Sequence, residues 1–99
     1  LAERKQQAWQ SLLRHMPAGV KIHHNDSGYF LWLELPAQLD AGLLSEKALT
    51  HHISIAPGKM FSTSDAWTPF FRFNTSWAWG EREEQAVIQL GKLISTMLE

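Results

Sequence analysis

Five residues, Phe70-Phe71-Arg72-Phe73-Asn74, constrain this chain more than any other stretch. In an extended strand successive side chains point to opposite faces. Phe71 and Phe73 therefore share one face, while Phe70, Arg72 and Asn74 share the other. The first face suits packing against helices. The second holds a guanidinium out from a rigid element, and its planar fork can grip a carboxylate through two parallel hydrogen bonds. On residue type alone two roles stand open for Arg72: a structural one, pairing with a glutamate or covering the sheet with its stem, and a ligand-binding one.

The remaining chain supplies partners for such a strand. Residues 1–16 read as an amphipathic helix with Trp9, Leu12, Leu13 and Met16 as its inner stripe, stopped by Pro17-Ala18-Gly19. Val20 to His24 reads as a short strand, Asn25-Asp26-Ser27-Gly28 as a polar turn, and Tyr29 to Leu35 as the partner strand of a hairpin. The near-continuous apolarity of that second strand predicts cover on both faces. Asp40 is placed to cap a helix over Ala41 to Thr50, with Leu43, Leu44 and Ala48 inward and His52 near its end. A third strand is predicted at Ile53-Ser54-Ile55, then a turn at Ala56-Pro57-Gly58 and a loop over Lys59 to Pro69, long enough to suggest a functional role. After the Phe70–Asn74 strand, a final helix from Gly80 carries Glu81, Glu83 and Glu84 in its first turn and Val87, Leu90, Ile94 and Met97 on its buried stripe. The order helix-strand-strand-helix-strand-strand-helix predicts a single small α+β domain, a mostly antiparallel sheet with helices packed on it.

Bulk properties exclude several functions. Nine basic and ten acidic residues leave a net charge of −1 with no basic block, so this segment has no electrostatic footprint for nucleic acid. Absence of cysteine excludes disulfides and thiolate chemistry. No apolar run approaches the ~18 residues of a membrane span, and no signal-peptide pattern is present. Five tryptophans and five phenylalanines are many for 99 residues and call for an aromatic core or a face that meets a partner. Because the chain opens on Leu1, a piece of a longer protein is expected.

Catalytic signals are missing. His23-His24 and His51-His52 are adjacent pairs, and neighbours on a strand diverge, which argues against a shared metal ion. Ser62, Thr63 and Ser64 form a hydroxyl cluster without a base beside it, and none of Lys5, Lys21, Lys47, Lys59 or Lys92 sits in a desolvating setting. No catalytic or metal-binding residue is assigned.

Three segments in order carry a resemblance: Gly28-Tyr29-Phe30-Leu31-Trp32-Leu33-Glu34-Leu35-Pro36, Ile53-Ser54-Ile55-Ala56-Pro57-Gly58-Lys59-Met60-Phe61, and Phe71-Arg72-Phe73-Asn74. Together they resemble the C-terminal small domain of fold-type I pyridoxal-phosphate aminotransferases. The Leu31–Pro36 wording is most similar to the MocR/GntR-type transcriptional regulators, which carry such a domain behind a winged helix-turn-helix. The resemblance implies that Arg72 binds the α-carboxylate of an amino-acid substrate or effector, with Asn74 as a helper on the same face. It implies pyridoxal 5'-phosphate in the parent chain, held by a large domain outside these residues, and none held covalently here. It further implies DNA contact only through an N-terminal domain, a cytoplasmic homodimer as the full-length protein, no membrane partner, and no transaminase activity in this piece alone. Two departures stand out: His52 replaces a common glycine, and Trp77-Ala78-Trp79 is bulkier than usual, either plugging a surface or serving as core. A metabolic aminotransferase with the same small domain is the alternative, as is a stand-alone binding or oligomerisation module in which Arg72 is structural.

Overall fold

The computed structural model describes residues 2–23, 30–61, 64–75 and 79–99. Its elements are α1 (Ala2–His15), β1 (Lys21–His23), β2 (Phe30–Glu34), α2 (Ala41–Leu49), β3 (Ala56–Pro57), β4 (Phe70–Asn74) and α3 (Glu81–Leu98). Two 3-10 turns, Gly58–Met60 and Asp65–Trp67, lie between β3 and β4. The strands form an antiparallel sheet in the order β1-β2-β4-β3, so the architecture is the expected α+β one. The turn predicted at residues 25–28 lies outside the described residues, as do His24, Tyr29, Ser62, Thr63, Trp77 and Ala78. Among the described residues no helix is long and apolar enough to cross a membrane.

The helices cover one face of the sheet. Leu31, Leu33 and Phe71 come from its two central strands and meet Leu12, Leu44, Val87, Leu90 and Ile94 from the three helices; all are fully buried. Period-2 alternation on the strands and period-3.6 spacing on the helices thus converge on one core. Where α1 ends against α3, a Cβ on Gly91 would collide with the His15 carbonyl, so glycine permits this close crossing.

Local chemistry explains the element boundaries. Asp40 caps α2 as predicted, its Oδ1 accepting from the Gly42 N–H at 2.7 Å. His52 ends the helical region with φ +62, and the Ile53 N–H returns to the Ala48 carbonyl at 2.9 Å. The histidine therefore adopts the left-handed conformation that a glycine would take without strain, at a cost of about 1–2 kcal/mol. At α3 the Gly80 N–H donates to Glu83 Oε1 at 3.0 Å.

Four expectations are corrected. The third strand is Ala56–Pro57 rather than Ile53–Ile55: Ile53 and Ile55 are buried in the connection, and the Ile53 amide closes α2 instead of joining a ladder. Ala56–Pro57 is therefore strand, not turn, and Pro57 is tolerated because β3 is an edge. On α1 the buried positions are Ala8, Ser11 and Leu12, an i, i+3, i+4 row that leaves Leu13 58% exposed. On α2 the inner face is Ala41, Leu44 and Ala48, an i, i+3, i+7 row that leaves Leu43 46% exposed.

Candidate functional site: a cation among rings on the open sheet face

Alternation along β2 sends Leu31 and Leu33 inward and Phe30, Trp32 and Glu34 outward; along β4 it sends Phe71 and Phe73 inward and Phe70, Arg72 and Asn74 outward. Trp32 lies directly opposite Arg72, Phe30 opposite Asn74 and Glu34 opposite Phe70. Phe30, Trp32, Phe70 and Arg72 are only partly buried. The expectation that both faces of β2 are covered is therefore corrected: helices cover one, while the other is sheltered by its own rings and by part of the loop before β4.

That loop is shaped to reach the open face. A Cβ on Gly58 would lie 2.6 Å from the Trp67 carbonyl, so glycine lets the two 3-10 turns pack together. Ser64 caps the second turn, its Oγ accepting from the Ala66 N–H at 3.2 Å. The exit is pinned by the Leu35 N–H to the Pro69 carbonyl at 2.8 Å and the Ala41 N–H to the Thr68 carbonyl at 2.9 Å. Trp67 and Phe61 are thereby carried onto the sheet. Trp32 has ring-centroid separations of 5.2 Å to Trp67, 5.7 Å to Phe61, 6.1 Å to Phe30 and 6.4 Å to Phe70. Such tilted and edge-on contacts are favourable ring geometries.

Arg72 sits inside this cluster. Its Cζ is 3.7 Å from the Phe30 ring centroid, 4.5 Å from Phe61 and 5.7 Å from Trp32, all within cation–π range. Among the described residues no carboxylate lies within ion-pair distance of its guanidinium. Glu34, on the same face, instead meets His23 Nε2 at 2.9 Å. Asn74 is exposed at the end of the row that Arg72 shares. The arrangement presents a positive charge with apolar walls, which suits an anionic group carried on a small molecule.

Lys21, Lys47, Lys59 and Lys92 are exposed, and Lys59 Nζ lies 3.5 Å from Asp65 Oδ1 across the loop.

Sequence reasoning placed Arg72 and Asn74 on one face but did not assign Phe30, Trp32 or Phe61 to the site. Alternation in Phe30-Leu31-Trp32-Leu33 contained the signal for the first two. Phe61 carried none, because a loop delivers it.

A separate polar cluster braces the helices. Glu84 accepts from Trp79 Nε1 at 3.1 Å, meets His15 Nε2 at 2.7 Å and pairs with Arg14 at 3.2 Å. The Trp79 N–H, then His15 and more weakly Arg14, hold its carboxyl pKa at about 2, against partial desolvation. The buried Ser11 hydroxyl also favours the charged form of Glu84. The Trp79 ring lies 6.4 Å from Phe73, so this tryptophan belongs to the edge of the core.

No protein-family model matches the chain. It is 79% identical over 98 residues to the uncharacterised HTH-type transcriptional regulator YdcR of Escherichia coli K12, covering 99% of this chain and 21% of that protein. The crystal structure of a multiple substrate aminotransferase from Thermococcus profundus superposes with a TM-score of 0.87 at 24% identity, over 98% of this chain and 24% of that one. LysN, an α-aminoadipate aminotransferase from Thermus thermophilus solved with N-(5'-phosphopyridoxyl)-L-leucine, gives 0.86 at 27% identity, over 97% of this chain and 25% of that one. The chain thus spans 21% of the length of the curated regulator it matches. It has the small-domain fold of the aminotransferases, and its sequence is similar to that of an HTH-type transcriptional regulator.

Proposed function

We propose that this chain is the C-terminal small domain of a pyridoxal-phosphate-dependent, aminotransferase-like transcriptional regulator, and that Arg72 binds the carboxylate of its amino-acid effector. The observation that carries this reading is a guanidinium on the open sheet face, walled by rings and without a described carboxylate beside it. Asn74, on the same face, helps orient the ligand. A large domain in the parent holds the cofactor, and a winged-helix domain contacts DNA. When bound, the cofactor supplies reversible attachment of the ligand's amino group; the work of this domain is to grip the other end. The ligand closes the small domain over the large one to the extent that it binds the closed state more tightly. The working form is a cytoplasmic homodimer.

Arg72→Ala in the full-length protein tests this. The expected result is loss of the response to amino acid with cofactor still bound; an unchanged response would refute the clamp. A metabolic aminotransferase would use Arg72 in the same way, but the 79% identity to an HTH-type regulator favours the regulator.

A further inference from the structure

An acidic neighbour can hold an arginine in place through a bidentate pair, but it then occupies the fork that an incoming anion needs. Among the described residues Arg72 meets rings instead. Phe30, diagonal to it across the β2–β4 pair, and Phe61, from the loop, bring their rings to 3.7 Å and 4.5 Å from its Cζ. Ring faces attract the cation through their quadrupoles and leave its N–H groups unspent, because a ring offers no lone pair for the fork. Phe61 is itself steadied, its ring standing at 84° to Trp32 and its N–H donating to the Gly58 carbonyl at 2.9 Å. Yet Phe61 is 49% exposed, more than folding alone requires of an aromatic ring.

We propose that Phe30 and Phe61 are the positioning residues of the carboxylate clamp: their rings hold the Arg72 guanidinium while its hydrogen-bonding edge stays available to the incoming carboxylate. The proposal rests on the reading of Arg72 given above. It assigns the exposed Phe61 a role in affinity.

The test uses the full-length protein with cofactor bound, following the cofactor's visible absorbance on addition of L-alanine or L-phenylalanine. Ethylamine and phenethylamine serve as the counterparts without a carboxylate. Phe61→Leu and Phe30→Leu are expected to weaken amino-acid binding by roughly threefold to tenfold, the range set by a cation–π contact. Binding of the amines stays unchanged, and Phe61→Tyr restores amino-acid affinity by keeping the ring face. Because Phe61 is exposed, Phe61→Leu does not threaten folding, and its cofactor spectrum verifies this. Equal weakening of amines and amino acids, or no weakening of either, overturns the positioning role. Arg72→Ala run alongside separates the two claims: if it weakens amino acids alone while the phenylalanine variants bind normally, only the positioning fails. If Arg72→Ala has no effect, the clamp itself fails.

Discussion

The two faces of β4 are built from one five-residue strand, and they serve opposite ends. Phe71 and Phe73 point into an interior shared with leucines, valine and isoleucine from the helices, where burial is nearly complete. Phe70 and Arg72 point into a half-covered layer of rings from β2 and the preceding loop. The inner face gains its stability by removing apolar surface from water. The outer face gains less, since its rings stay partly wet, but it keeps a charge accessible. The comparison teaches that deep burial and an accessible charge here divide along the pleat of a strand, one residue apart.

The largest effect should come from breaking the inner face. Phe71→Ala deletes a fully buried ring at the centre of the sheet and should cost about 3–5 kcal/mol, enough to unfold a marginal domain. Urea unfolding of the 99-residue chain measures it, and a loss below about 1 kcal/mol would show that this face is not the keystone.

Next comes the polar brace behind that face. The Glu84 carboxyl has a pKa of about 2 in the fold, below its ordinary 4.5. Its stabilisation is therefore complete above pH 4.5 and drains away as pH falls from there toward 2. Glu84→Gln should destabilise by about 1–2 kcal/mol at neutral pH, having lost its charge-assisted bonds, and should flatten stability across that acid window. An unchanged acid profile in the variant would place the acid sensitivity elsewhere.

The outer face should respond least. Arg72→Ala should change stability by about 0.5–1 kcal/mol, the worth of an exposed cation–π contact, while abolishing the amino-acid response of the parent protein. A large loss of stability would mean that the arginine is structural. His52→Gly, remote from both faces, should be neutral or stabilise by up to about 1 kcal/mol by relieving the left-handed histidine, read as a rise in the urea midpoint.

Much of the fold was legible because it depends on short-range patterns. Asp40 as a cap, the inward placement of Phe71 and Phe73, and the stripe of Val87, Leu90 and Ile94 each follow from a period or a hydrogen bond that neighbours in sequence provide. The errors share a different cause. Leu13 and Leu43 look like core residues in isolation, but which side of an apolar stripe faces inward is set by the helix or sheet it meets. Ile53 and Ile55 alternate like a strand, yet the amide of Ile53 finds its carbonyl partner within the α2 terminus.

The candidate site divides in the same way. That Arg72 and Asn74 share a face was determined by sequence alone, since alternation is a property of any extended chain. That this face is the one without helices, that Phe30 and Phe61 flank the guanidinium, and that Glu34 is engaged by His23 were decided only by the tertiary structure. The physical reason is distance along the chain. A strand dictates where its own side chains point, but what those side chains meet depends on segments that arrive from elsewhere, and only the folded packing brings them together.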